Sequence, residues 1–521
     1  MKISDLFRSL DRSQPLIIWI LALVLLTVAT RLPLLRLDRP IDDEVVYGVV
    51  AQTIVDGGAP YVSAVERKPP LLFYVYAAVL RTFGSSNWRA LHVVEIAWIL
   101  ATMAGLFVVG RRLFDDDTGL IAALLYSIFQ AWSYWNNLAF NGEVLMNLPI
   151  VWAYALGFSG RSSRRIFNLF IAGALLAIAF LLKQPAAIAL VPLALYVVSS
   201  SRSSSSRYEW RAWFGPLASL SIGFSTVLLA IAVWLFSRGL LADAFYWTIT
   251  NHAIPQVYWI TGLENTLAFS AFCLPMTASA WFSALDPELW NTRRAERHAL
   301  VALVVASLVG AASSGRFFPH YYIAVIPPCA LLAAPWLAQV WRATGRELRV
   351  GQLAQAWLAA TVIVFAVAHT RGLSRQPEVS EAGQYLMTHS SAQDRIFVWG
   401  QETRIYVDAH RRPASRYIAT FPLTGLIFGA PPPSAGDPPI DTRARIVPGA
   451  WDNLRKDFSL HEPAFIIDTE AASSAMYPVR QFPALAQLLA AEYTPVARTV
   501  EGVIYKRDTS KRTQLAALRW P

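Results

Sequence analysis

The sequence predicts a polytopic α-helical membrane protein that ends in a small soluble α/β domain. Three observations predict it. Of the 521 residues, 55% are hydrophobic and only 15% charged, with a mean hydropathy of +0.39; a soluble chain would be nearer a quarter charged. Apolar stretches of about 20 residues, the length that crosses a bilayer, recur as far as residue 370. Beyond residue 371 they give way to short strand-like and helical runs bounded by turn residues.

In chain order, spans are expected near 16–36, 92–110, 118–138, 144–160, 166–182, 185–200, 212–236, 265–285, 298–314, 321–341 and 353–370, eleven in all. The first follows a short basic head (Lys2, Arg8, Arg12) and lacks a clear small-x-small site, so an uncleaved helix is expected rather than a signal peptide. Arg111-Arg112, Arg161 to Arg165, Arg202 to Arg211, Arg293 to Arg297 and Arg342 to Arg349 fall in alternate links. The links near Asn141, Lys183, Asn251 and Arg316 are poor in basic residues. Lys and Arg are retained on the cytoplasmic side, which places the N-terminus there. An odd number of spans then places the region after residue 371 outside.

The first external loop, 37–91, is too amphipathic and too proline-marked to be a span. Glu44 to Val55 reads as a short helix ended by Gly57-Gly58. Pro69-Pro70 opens a second helix through Leu80, because proline is tolerated in a first turn. Both are expected to lie in the interface plane. Residues 372–521 carry strand-like runs at Arg395–Trp399, Phe465–Asp468 and Val503–Tyr505, and helical patterns at Val379–His389 and Ala484–Glu492. The expected organisation is a membrane domain over 1–371 and a soluble α/β domain over 372–521.

The net charge of +10 is accounted for by the cytoplasmic loops. No basic patch alternates with stacking aromatics outside the spans, which excludes a nucleic-acid partner. Cys273 and Cys329, the only cysteines, both fall in apolar spans, so neither a disulfide framework nor a thiolate metal site is expected.

Asp42-Asp43-Glu44, followed after the apolar helix by Lys68-Pro69-Pro70, stands at a membrane face. Three carboxylates and a lysine beside a bilayer are costly to desolvate unless they serve something. One reaction uses this set: a carboxylate deprotonates an acceptor hydroxyl while a cation holds a departing lipid phosphate. Asp43 is the best candidate base. The competing reading is that Asp42 or Asp43 only caps the helix; capping needs one acid, and here there are three.

At this point the sequence resembles the GT-C glycosyltransferases, in particular the branch of the protein O-mannosyltransferases and aminoarabinose (lipid A) transferases. The pieces are Asp43-Glu44, Gly57-Gly58 and Lys68-Pro69-Pro70, then Arg111-Arg112-Leu113-Phe114, Lys183-Gln184-Pro185 and the run from Gly315 to Tyr322. The resemblance covers about residues 15–370. It implies a GT-C-like fold of about eleven spans plus interfacial helices. It also implies that Asp43 is the catalytic base, that Lys68 contacts the lipid phosphate, and that the transfer inverts the anomeric centre.

Glu143 lies where the family commonly has an acid, and could orient the acceptor or hold a cation. Glu44 joins Asp43 and Glu143 in the catalytic set. Lys183, Arg316 and His320 stand at external ends of spans, where a cation stabilises a leaving phosphate or snorkels to headgroups. Asp42, His252 and Tyr321 are candidates for holding sugar or acceptor. Pro255 and Gln256 stand where related sequences carry an Arg after such a His, which leaves that contact to Arg316.

The expected donor is a sugar on a polyprenyl phosphate. The expected acceptor is a cell-envelope lipid, glycan or protein, and membrane lipids surround the spans. No cofactor is called for, and a divalent cation is not indicated. The expected location is the bacterial cytoplasmic membrane. A transporter or lipid flippase would place its charges at mid-membrane, whereas these charges sit at loop edges. A non-catalytic assembly subunit would not need to retain the acids with Lys68.

Overall fold

The computed structural model describes residues 16–32, 34–130, 138–159, 163–202, 211–252, 257–343, 379–426, 441–508 and 510. It divides into two compact units. One holds Met1–Arg39, Ser86–Ser237 and Gln256–Arg375; the other holds Pro40–Ser85, Arg238–Pro255 and Gln376–Pro521. The first loop and the 238–255 segment thus group with the C-terminal region rather than with the spans, unlike the single cut drawn from the sequence at 371.

The first unit is helical. Among the described residues, six helices are long and apolar enough to cross a membrane: Trp88–Leu113, Arg165–Leu182, Gln184–Ser201, Ala212–Ser237, Asn291–Ala312 and Pro319–Arg342. A seventh results if the pair Trp259–Phe272 and Leu274–Leu285, bent by 88°, counts as one. The sequence suggested an unbroken span there. Pro275 follows the break at Cys273 within the first turn of the second helix, where its missing amide does least harm.

Three other expected spans are shorter helices, Leu16–Arg31, Asp116–Phe129 and Gly142–Gly157. The latter two begin two residues ahead of the expected spans, where Asp115 and Asn141 cap them, accepting from Thr118 N at 2.9 Å and Val144 N at 3.2 Å. The expected span at 353–370 lies outside the described residues.

Close packing in this unit depends on small residues. A Cβ on Gly173 would lie 2.0 Å from the Leu220 carbonyl oxygen, and one on Gly223 1.9 Å from that of Phe170. The Arg165–Leu182 and Arg211–Ser237 helices therefore touch backbone to backbone. In a lipid solvent such contact replaces the hydrophobic drive that would join helices in water.

The second unit is built on a five-stranded sheet in the order β2-β1-β3-β5-β4. The strands are β1 Arg395–Trp399, β2 Arg412–Pro413, β3 Phe465–Asp468, β4 Tyr493–Arg498 and β5 Val503–Arg507. β2, β1 and β3 run parallel, and β5 pairs antiparallel with both β3 and β4. β1 and β3 are buried almost throughout, as the apolar runs Ile396–Trp399 and Phe465–Ile467 require.

The first loop folds into this unit as helices Asp43–Val55 and Pro70–Phe83, which pack on each other. Pro70 occupies the first turn, as its fixed φ favours. The short helix Arg404–Ala409 packs against the Asp43 helix.

Candidate active site

The acidic triplet is three carboxylates in three environments. Glu44 is fully buried, and its Oε2 accepts from the Ile41 amide at 2.9 Å, while its own amide donates to the Ile41 carbonyl at 3.0 Å. That reciprocal pair fixes the turn into the helix. Asp43 is half-buried, and its Oδ2 accepts from the Tyr47 hydroxyl one turn on, at 2.8 Å.

Asp42 flanks the helix N-terminus, yet its side chain makes no capping hydrogen bond, and its backbone lies at φ 45°, ψ −127°. The capping role that a sequence reading would give it is not the one it has. Its carboxyl is pushed up to about 7, first by surrounding protein that thins its hydration, then by the charges of Asp43 and Glu44, against a hydrogen bond it accepts from the Asp43 amide and the pull of Arg404.

Lys68 is half-buried at the end of a loop pinned from below. The Tyr61 hydroxyl donates to the Lys68 carbonyl at 2.8 Å. Tyr61 is buried at positive φ (69°), and burial pushes its hydroxyl well above the usual tyrosine range, which keeps it a donor. Aromatic rings join this loop to the acids. Phe73 meets Tyr61 edge-on at 6.1 Å and Tyr47 at 6.3 Å, and Tyr47 also meets Tyr76 at 5.6 Å. Asp43 and Lys68 are therefore carried on one packed body.

The C-terminal region holds that body in several places. The Val65 amide donates to the Arg416 carbonyl at 2.8 Å, and Arg416 grips the buried Asp457 with two guanidinium nitrogens, Nε and Nη2. Arg412 pairs with Asp56 at 2.8 Å, and the Arg67 guanidinium lies 4.7 Å over the Phe421 ring. Arg404 brings a positive charge within electrostatic reach of Asp42.

In the helical unit, Glu143 and Lys183 form a buried ion pair through Glu143 Oε1. A Cβ on Gly142 would fall 2.7 Å from Lys183 Cδ, so glycine there lets the lysine stem pass. The Lys183 ammonium also sits 4.7 Å from the centre of the Tyr321 ring. His320 is buried, stacked on Phe318 and edge-on to Tyr321 at 4.7 Å. Asn147, one turn after Glu143, donates to the Ile323 carbonyl at 3.2 Å and ties the helix to the 3-10 turn Pro319–Val325.

Arg316 is half-buried in the preceding loop, which is held by Tyr258 N to Gly315 O at 2.8 Å and Asn265 Nδ2 to Phe317 O at 2.9 Å. This unit thus gathers Glu143, Lys183, His320 and Tyr321, which lie far apart in the chain.

The His252 side chain lies outside the described residues. Among the described residues no group of three or more His, Cys, Asp or Glu is placed to hold a metal ion. Both cysteines are free and buried. Sequence reading missed Tyr47, Tyr61, Arg404 and the Arg416–Asp457 clamp. Only Tyr47 left a local signal, standing four residues after Asp43 on the same helical face.

Residues 67–228 match the family model described as dolichyl-phosphate-mannose-protein mannosyltransferase. Among solved structures, the crystal structure of ArnT from Cupriavidus metallidurans bound to undecaprenyl phosphate superposes with a TM-score of 0.61 and 16% identity, over 95% of this chain and 98% of that one. The archaeal oligosaccharyltransferase AglB from Archaeoglobus fulgidus, in complex with an inhibitory peptide and a dolichol-phosphate, gives a TM-score of 0.52 and 13% identity, over 95% of this chain and 74% of that one. At these identities the likeness is one of fold. No curated protein matches the sequence.

Proposed function

We propose that this chain, which has the fold of the GT-C membrane glycosyltransferases, moves a hexose or pentose from a polyprenyl phosphate to an acceptor hydroxyl at the extracytoplasmic face of the bacterial cytoplasmic membrane. The observation that carries the reading is the packing of Asp43 and Lys68 on one body through Tyr47, Phe73 and Tyr61. A base and a cation held at fixed positions are what a single displacement needs.

In this reading Asp43 takes the acceptor proton as the oxygen attacks the anomeric carbon, and the polyprenyl phosphate leaves toward Lys68. One base, not two carboxylates acting in turn, gives inversion. The bound undecaprenyl phosphate and dolichol-phosphate of the two similar structures support a polyprenyl-phosphate donor. Arg316, His320 and Lys183 are proposed to favour the donor's negative charge. Glu143 restrains Lys183, and Tyr321 and His252 are proposed to serve sugar or acceptor. The full proposal has eleven spans, a cytoplasmic N-terminus and an external C-terminal region. The acceptor is an envelope lipid, glycan or protein.

Asp43→Asn keeps the shape and removes the base. Turnover should fall about 100- to 10,000-fold, the range for a positioned acid–base group, with the thermal unfolding profile unchanged. Near-normal transfer by a folded Asp43→Asn protein would refute the assignment.

A further inference from the structure

β1 and β3 lie side by side and parallel, and the chain leaves them in opposite directions. From β1 it passes through the Arg404–Ala409 helix to β2 on one side. From β3 it passes through the Pro483–Glu492 helix to β4, at the far edge on the other. In open α/β sheets such a reversal opens a crevice at the carboxyl ends of the two strands, and ligands bind there.

The groups at these two strand ends are tightly held, with one exception. A Cβ on Gly400, at φ 142°, would fall 1.9 Å from Thr469 Oγ1 and 2.7 Å from Ser473 Oγ. The Thr469 hydroxyl donates to the Trp399 carbonyl at 2.8 Å, and the Gln401 amide donates to Ser473 Oγ at 2.7 Å. The Gln401 backbone is thereby fixed. The Thr420 hydroxyl donates to the Gly400 carbonyl at 3.3 Å, so its oxygen accepts from Gln401 Nε2, at 3.4 Å. That settles which end of the carboxamide is the oxygen. Gln401 Oε1 is left buried, with no hydrogen bond from any described residue, which is rare in a native protein.

Asp468 ends β3 opposite Trp399, so the two side chains share one face of the sheet. Asp468 is buried and accepts from the Ser474 hydroxyl at 3.3 Å. Trp399 meets Phe482 at 4.9 Å and Trp451 at 5.9 Å, and these last two, both half-buried, stack at 5.7 Å. Gln401 Oε1 and the carboxylate are both hydrogen-bond acceptors. They suit a ligand rich in hydroxyl donors and repel a phosphate. The electron-rich faces of aromatic rings beside them suit the C–H face of a sugar.

We propose that the carboxyl ends of β1 and β3 hold the acceptor, and that this acceptor is a glycan: Gln401 Oε1 and Asp468 take saccharide hydroxyls beside the Trp451–Phe482 pair. This rests on the reading of the chain as a glycosyltransferase and narrows its acceptor to one class. The same stretches of chain reach the proposed base and cation. Three residues after Gln401 begins the helix that packs on the Asp43 helix. Thr420 is followed by Phe421, whose ring carries the guanidinium of Arg67, the neighbour of Lys68.

The test uses the purified full chain in a detergent without a sugar headgroup. Saturation-transfer NMR is recorded with methyl glycosides of hexoses and pentoses, with their disaccharides, and with serine- and threonine-containing peptides. Wild type should give saturable transfer to at least one saccharide. Gln401→Met and Asp468→Asn should each weaken it roughly tenfold or more, the effect of losing about one hydrogen bond to a polar site. The thermal unfolding midpoint of Gln401→Met should not fall, because the oxygen removed has no partner in the fold; a structural glutamine would be missed. A short-chain polyprenyl phosphate should leave saccharide binding in place. No saturable transfer from any saccharide overturns the proposal, as does binding within twofold of wild type in both variants. Binding of the peptides instead of the saccharides overturns the glycan, and displacement by the polyprenyl phosphate assigns the saccharides to the donor site. None of these readouts requires turnover, so full activity of Asp43→Asn would overturn the base and leave the subsite to be judged by binding alone.

Discussion

Tyr47→Phe removes one oxygen from the proposed site. The ring is 1% exposed and keeps its edge contacts with Phe73 and Tyr76, so folding should be little changed. What is lost is the 2.8 Å hydrogen bond to Asp43 Oδ2. A hydrogen bond to a charged group contributes about 1.5–3 kcal/mol. Asp43 is only half-buried, so water replaces part of the bond and the low end applies. About 1.4 kcal/mol corresponds to a tenfold loss in kcat/KM. The loss should appear in kcat, because the hydroxyl orients the base and does not bind the donor. Steady-state transfer kinetics, with the thermal unfolding midpoint as control, measure this. A kcat/KM within twofold of wild type would refute the idea that Tyr47 aims Asp43.

Two further predictions concern the helical unit. Glu143→Ala leaves the buried Lys183 ammonium without its carboxylate and should destabilise by about 3–5 kcal/mol. The double change Glu143→Gln with Lys183→Met should recover most of that; thermal inactivation in detergent reads both, and a fully stable single variant would count against the pair. Gly173→Ala places a methyl 2.0 Å from the Leu220 carbonyl oxygen and should cost at least about 1–3 kcal/mol. Gly215→Ala, with nothing within 4 Å of the new methyl, should be neutral in the same assay.

What could be read from the sequence was local. The Asp43 and Pro70 helices, β1, β3 and β5 begin or run where capping residues, prolines and apolar runs suggest. β4 was hidden because it is an edge strand carrying Pro495 and little burial. The Ala450–His461 helix was hidden by its polar face of Asp452, Asn453, Arg455 and Lys456. At the candidate site, Asp43, Lys68, Glu143 and Lys183 could be singled out because each stands in a short motif. The Arg416–Asp457 clamp and Arg404 could not. Their partners lie dozens to hundreds of residues away, and no spacing rule spans such a distance. The inward turn of Glu44 also has no sequence signature, since Glu44 and Asp43 differ only in which side of one helical turn they occupy.

The unit that carries Asp43 and Lys68 is assembled from three separate stretches of chain. About 290 residues separate Ser85 from Gln376, where the last stretch begins. At about 5–20 residues per second, the ribosome needs roughly 15–60 seconds to bridge that gap. Throughout it, the helices of the first loop lack the Arg416 backbone that Val65 meets and the Arg404 charge that faces Asp42. Completion of the acidic turn is thereby tied to synthesis of the stretch that begins at Gln376, and a nascent chain remains chemically unfinished until that stretch arrives.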